Sequence, residues 1–288
     1  MPDLQRLKDG FDRVQRPRPW LSFPYAVIKK FGEDSASNLA VLITYYAFFS
    51  IFPLLLALSS ILGYVLKGHP DWAHRINTSA ASQFPLIQGS PLPKQGSAII
   101  VAVGILLALY SGLAVAKAAE HAWDVVYCVP RDDRPGFLPK NLQALRLVVV
   151  GGLGFIATTI VSSTVASAGA VGLSIGSALS AVAWVLTVLL NTALFVVIFR
   201  WLTVRSDVGY RDVLPGAALS AVALAVLQAA SSAFITHRLK GAHATYGSFG
   251  TVIVLLSWFY LQSQVLLIAA EVNVVKQDRL WPRSINES

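Results

Sequence analysis

Lys117, Glu120, His121 and Asp124 stand at offsets of three, four and seven residues from the first, so all four share one face of a helix. A cation, two carboxylates and an imidazole on one side can line a polar cavity. In that reading Lys117 and Arg146 neutralise Glu120, Asp124 or Glu271 when no ligand is bound. Interhelical ion pairs near a water interface, where lysine and arginine reach back to solvent, would call for the same residues. Asn273 follows Glu271 by two positions and belongs to the same polar set, and Asn191 is a lone amide inside a long apolar run. With Gln228, Gln262 and Gln264, Asn191 also fits the ordinary interhelical amide hydrogen bond.

Histidine supplies a second chemistry. His69, Asp71 and His74 lie close together in the chain, as do His237 and His243, and a divalent metal held between the two segments would use such ligands. Their spacings of five and six residues are not those of ligands on one helical face, so loop histidines are the simpler reading and no cofactor is expected. The single cysteine, Cys128, excludes an intrachain disulfide and a cysteine metal cluster. No Walker loop, nucleophile elbow or zincin motif occurs.

The elements that position these residues follow from composition. Of 288 residues, 55% are hydrophobic and 13% charged, against roughly 25% charged in ordinary globular chains. Charge-free runs of 32, 22, 53, 25 and 30 residues lie after Asp34, Lys94, Arg146, Asp212 and Lys240. A bilayer core takes about 20 residues of helix, so the longest run is two spans, divided at the small-residue stretch 168–176. The expectation is an all-α integral membrane protein with six transmembrane helices near 38–66, 97–127, 142–167, 176–201, 213–236 and 246–275. Runs such as Leu147-Val148-Val149-Val150 do not alternate as barrel strands do. The chain then divides into an interfacial segment 1–34, a six-helix domain 35–276 and a tail 277–288.

Basic residues orient the spans. Of 23 Lys and Arg, 17 fall in segments on one side and 5 on the other, with Lys117 inside the second span. Both termini are therefore expected in the cytoplasm. The net charge of +8 serves this topology, and it is dispersed over four segments rather than gathered on an aromatic-studded face for nucleic acid.

Leu4, Leu7, Phe11 and Val14 have helical spacing, so residues 3–16 are expected to lie as an amphipathic helix along the cytoplasmic leaflet. Tyr25 to Phe31, with Lys29 and Lys30, reads as an elbow feeding the first span. Residues 67–96 form the long outer loop, with a short helix between Asp71 and Gln83 that could cover the outer mouth. Pro53 removes a backbone hydrogen bond in mid-span and should kink the first helix, as a hinge or as a shape. Gly151, Gly152 and Gly154 make the third span small enough for close packing, and Gly241 to Gly250 opens the sixth in the same way.

Two long motifs resemble the YihY/BrkB family of bacterial inner-membrane proteins. One is Asn38-Leu39-Ala40-Val41-Leu42-Ile43-Thr44-Tyr45-Tyr46-Ala47-Phe48-Phe49-Ser50-Ile51-Phe52-Pro53-Leu54-Leu55-Leu56. The other begins Tyr246-Gly247-Ser248-Phe249-Gly250 and runs through Trp258-Phe259-Tyr260-Leu261 to Ala269-Ala270-Glu271-Val272-Asn273. Tyr110-Ser111-Gly112-Leu113, Arg200-Trp201-Leu202 and Arg211-Asp212-Val213-Leu214-Pro215-Gly216 fit as well, and the similarity covers about residues 25–276. It implies a multi-pass protein of the bacterial plasma membrane linked to envelope integrity or virulence. By the same resemblance the family's helix-six glutamate falls on Glu271, its tyrosine pair on Tyr45 and Tyr46, and its proline on Pro53; no catalytic residues carry over.

Three functions are then open. The first is transport or equilibration of a lipid-like or amphiphilic molecule, its headgroup met by Lys117 and Arg146. The second is a non-transporting scaffold for envelope integrity. The third is the tRNA-processing ribonuclease of the family's old label, ribonuclease BN. Metal-dependent RNA hydrolysis needs several ligands converging on one or two ions, and four of the five histidines fall on the expected outer side, away from tRNA. An enzyme is therefore not expected, and the partners implied are membrane lipids and an amphiphilic substrate rather than nucleic acid. A homo-oligomer is compatible with the sequence.

Overall fold

The computed structural model describes residues 19–65, 98–170, 177–246 and 249–283. Its helices are α1 (Pro19–Glu33), α2 (Ala36–Val65), α3 (Ala98–Val126), α4 (Phe137–Ala170), α5 (Ser177–Leu202), α6 (Tyr210–Tyr246) and α7 (Phe249–Gln277), with a 3₁₀ turn at Arg131–Asp133. There is no strand among the described residues. Six helices, α2 to α7, are long and apolar enough to cross a membrane. Leu106 and Phe155 are 66% and 67% exposed and stand for many large apolar side chains on the outside. Such an exterior suits hydrocarbon as solvent, where helices satisfy their backbone internally.

The expected spans correspond to α2–α7, with two ends displaced. α4 begins at Phe137, before the expected 142, and α6 runs to Tyr246, past the expected 236. Segment 237–245, read as an outer loop, is thus helical in backbone. Arg238 ends the apolar run, but helix hydrogen bonds are internal and need not stop where the apolar run does. The expected interfacial helix 3–16 and the outer loop 67–96, with its short helix and His69, Asp71 and His74, lie outside the described residues. So do the side chains of His237 and His243.

The expected elbow is longer than its apolar pattern suggested. Pro19 occupies the first position of α1, where its missing N–H costs nothing, and Pro24 is carried inside the helix. α1 stops at a left-handed Ser35, φ 51°, a conformation uncommon outside glycine. The Ser35 carbonyl then accepts from Asn38 N–H at 2.8 Å, so one residue turns the chain from α1 into α2.

Packing divides the chain into two compact units. One takes in the described residues between 45 and 115. Within it a Cβ on Gly104 would lie 3.0 Å from the Ala57 Cα, so α2 and α3 approach backbone to backbone, as small residues permit. Pro53 sits inside an unbroken α2. Tyr45, Tyr46, Phe48, Phe49 and Phe52 form a ladder of ring contacts, the tyrosines meeting edge-on at 5.5 Å.

The other unit takes in the described residues up to Thr44 and from Ala116 onward. In it α4 packs on α5, α5 on α6, α6 on α7, and α1 on α7. At the α4–α5 contact a Cβ on Gly154 would overlap Leu194, whereas Gly152 faces open space and Gly151 only ordinary contact with Ile198. Of the three glycines expected to permit close packing, Gly154 alone stands in a tight contact there, with the end of the Leu194 side chain. α1 buries Ala26 and Val27 against Val275, with Phe23, Val272, Leu280 and Trp281 closing the cluster. Ala26 and Val27 lie one turn before Lys30, so the same face that buries them buries the lysine.

Candidate functional site

Lys30 is 3% exposed, at the end of α1. An ammonium has three protons to donate, and three acceptors surround it. It pairs with Asp34 one turn on, donates to the Val126 carbonyl at 2.7 Å, and lies 3.1 Å from Glu271 Oε2. Val126 closes α3, where the last carbonyls have no intrahelical donor, and Glu271 is fully buried on α7. One cation therefore joins α1, α3 and α7. Burial by itself would lower the Lys30 pKa, but the charges of Glu271 and Asp34 outweigh it and hold the ammonium above its ordinary value. A second tie runs along the outside, where Arg283 donates to Glu33.

The α3 face is divided between paired and unpaired groups. Asp124 is 4% exposed and stands 3.8 Å from the Arg134 guanidinium. Arg134 also donates to the Val129 carbonyl from Nε at 3.2 Å and Nη2 at 3.1 Å. This ties back a tight turn in which Cys128 is left-handed, φ 52°. Glu120 is equally buried, yet neither carboxylate oxygen has a hydrogen-bond partner among the described residues. The charges acting on it are those of Lys140, Asp124 and Lys117. Trp123 stacks on Phe199 with centroids 4.9 Å apart, but its indole N–H is buried without an acceptor.

One turn further, Tyr127 has a buried hydroxyl without a well-formed hydrogen bond, although Thr203 and Asn273 lie near it. Burial pushes its pKa up to about 12. Asn273 is fully buried, and its Oδ1 accepts the Gly216 N–H at 2.7 Å. A Cβ on Gly216 would come within 2.6 Å of Asn273 Nδ2 and would also meet the Ala269 carbonyl. The Leu214-Pro215-Gly216 and Ala269-Ala270-Glu271-Val272-Asn273 segments are therefore one contact.

Beside Tyr127 a cleft of about 420 Å³ is lined by Cys128, Val129, Asp133, Val204, Arg205 and Asp207 among others. Arg205 crosses its edge, donating to Asp207 at 2.7 Å and to Asp278 at 2.9 Å. These hydrogen bonds hold the guanidinium above and the Asp207 carboxyl below their ordinary values.

Set against the sequence expectations, the counter-ions differ. Glu271 is met by Lys30 and Asp124 by Arg134, while Arg146 is exposed on α4 and takes no part in the cluster. Arg146 lies on the outward side of a helix whose Ala144 and Leu147 are buried. Lys117 and His121 are half-buried on the expected face. Asn273 belongs to a helix contact. Asn191 is half-buried and Gln228 exposed, and Gln264 donates to Tyr260 on its own helix at 2.8 Å. Lys30 was the residue missed; its signal was a lysine on the apolar face of a short helix.

The Virulence factor BrkB family matches residues 27–286. A Bacillus subtilis protein named ribonuclease-like protein YfkH is 22% identical over 267 residues, covering 86% of this chain and 91% of that protein. UPF0761 membrane proteins of Chromohalobacter salexigens and Alcanivorax borkumensis are 22% and 25% identical over 85% and 87% of the chain. The chain spans only 61% and 59% of their lengths. No solved structure matches the chain. With six apolar spans and a family match over most of its length, the chain belongs to the Virulence factor BrkB family and is a multi-pass membrane protein.

Proposed function

We propose that this protein moves or equilibrates an amphiphilic envelope molecule, a lipid in the first instance, across a bacterial plasma membrane, with both termini in the cytoplasm. The observation that carries the reading is Glu120, a carboxylate buried on a membrane span without a protein partner, beside the charges of Lys117 and Lys140. Ionisable groups in spans are costly, and they mark pathways more often than they mark packing. Lys117 and Lys140 offer cations for a headgroup phosphate while its tails stay in the bilayer. Lys140 takes the place that the sequence assigned to Arg146.

The scaffold reading is favoured by the Lys30 cluster, whose carboxylates and carbonyl are spent on joining helices. Nuclease chemistry is set aside because the paired carboxylates are met by the side chains of Lys30 and Arg134, which occupy the place that hydrolysis would give to an ion. The test is reconstitution into liposomes carrying fluorescent lipids, with inner-leaflet probe scored by a membrane-impermeant quencher. Lipid exchange that Lys117→Gln and Lys140→Gln reduce in a folded protein supports transport. No exchange for any lipid class leaves the scaffold reading in front.

A further inference from the structure

Glu120 and Trp123 on α3 and Tyr127 just past its end are spaced three and seven residues from the first, and Tyr127 N–H still donates to the Trp123 carbonyl at 2.9 Å, so the three follow one face. Each carries a buried polar atom without a well-formed hydrogen bond among the described residues: both Glu120 oxygens, the Trp123 indole nitrogen and the Tyr127 hydroxyl, the last with Thr203 and Asn273 near it. Seven residues of helix rise about 10 Å. At the far end Tyr127 also lines the cleft beside Arg205. Orphaned buried polar atoms in a row are bridged in proteins by internal water, and here the row runs from that cleft to a carboxyl group.

We infer that Glu120 is a proton-exchange site, gaining and losing its proton through the cleft beside Tyr127, and that transport is coupled to this step. Glu120 takes up one proton from water at the cleft as its carboxylate becomes a carboxylic acid, and returns it by the same route. The charges facing the group are Lys117 and Asp124 on its own helix and Lys140 on α4, two cations against one carboxylate. The Tyr127 phenol, pushed up to about 12, stays protonated in the working range and serves as a donor to the water row. The inference rests on the transport reading for its purpose, but Glu120 protonation can be measured without any substrate.

Infrared difference spectra of the full chain in detergent, titrated with pH, will report protonated carboxyl groups by their C=O band. The wild type is expected to lose a component of this band as pH rises, and Glu120→Gln to lack that component. Glu120→Asp should shift the component rather than remove it, which covers a Gln variant that fails to fold. A band unchanged in both variants, or a Glu120 band that pH does not alter, overturns the inference. Lipid exchange in liposomes separates the two claims. A titrating Glu120 without exchange of any lipid removes transport and keeps the proton site, whereas exchange that is equally pH-dependent in wild type and Glu120→Gln removes the coupling and keeps transport.

Discussion

Replacing Lys30 by Met preserves length and burial but removes the charge that three elements share. Glu271 then stays fully buried with no cation within reach, and the Val126 carbonyl loses its donor at 2.7 Å. Removing one partner of a buried ion pair costs about 3–5 kcal/mol, and the lost hydrogen bond about 1 kcal/mol more. Lys30→Met should therefore lower unfolding free energy by about 4–6 kcal/mol, measured by tryptophan fluorescence during detergent-to-denaturing-micelle titration. Glu271→Gln should cost less, because Lys30 keeps Asp34 and Val126. The double variant should be more stable than Lys30→Met alone, with a coupling of about 1–3 kcal/mol.

The pH dependence has a defined sign. Burial opposes, but Glu271 and Asp34 raise, the Lys30 pKa above 10.5. The stability it contributes is present in full below that ordinary value and is lost as pH rises through the higher folded value. Tyr127 acts in the same alkaline window, since the unfolded phenol ionises near 10 and the folded one near 12. The gap between wild type and Lys30→Met should thus narrow above about 10.5 as the ammonium is lost, and narrow again toward acid pH as the unpaired Glu271 of the variant takes up a proton. Additive single and double variants, or a Lys30→Met protein as stable as wild type, would show that the ammonium does not join these helices.

Gly216→Ala should destabilise by about 1–3 kcal/mol through overpacking on Asn273 and Ala269, whereas Gly152→Ala, facing open space, should be neutral or gain up to about 1 kcal/mol in helix propensity; equal losses would refute the packing geometry. Cys128 is exposed and lies in a turn that the proposed topology would put in the cytoplasm, so an impermeant maleimide should spare it in intact cells and label it in inverted vesicles. Labelling from outside would reverse the orientation. Arg205→Ala should cost less than about 1 kcal/mol, because its ion pairs are solvent-screened. Any loss should vanish in high salt, and at acid pH as Asp207, held low by Arg205, takes up its proton; a loss that persists would mean the cleft edge is built on Arg205.

The spans were legible because charge is expensive in hydrocarbon, so the intervals between Asp34, Lys67 and their successors trace the bilayer directly. Helix ends were less so. Arg238 ends an apolar run but not the helix that carries it, and α6 continues to Tyr246. The polar face of α3 was legible from spacing alone. Its counter-ions were not, because ion pairing depends on which helices meet. Lys30 and Glu271 are far apart in sequence, and nothing local distinguishes Lys30 from Lys29 beside it except the period of Ala26 and Val27. Arg146 carried the right charge in the right half, yet it points outward, since Ala144 and Leu147 take the inward positions.

Polar groups at the charged end of this bundle fall into two kinds, and the division bears on function. Lys30 donates to Asp34 and the Val126 carbonyl and is ion-paired with Glu271, Asp124 faces Arg134, and Asn273 Oδ1 holds Gly216, although the Glu271 oxygens and Asn273 Nδ2 make no hydrogen bond among the described residues. Those groups spend their charge or hydrogen bonds on one arrangement of helices, and a change there should be read as stability. Glu120, Trp123 and Tyr127 hold polar atoms that make no well-formed hydrogen bond among the described residues. Leaving such atoms buried costs about 1–3 kcal/mol each, a cost that selection for packing alone would remove by apolar substitution. Their presence on one face, between a cleft and a carboxyl, is what the proposed transport reading would use. Variants on the Lys30 side therefore test how the bundle is held, and variants at Glu120 test what it does.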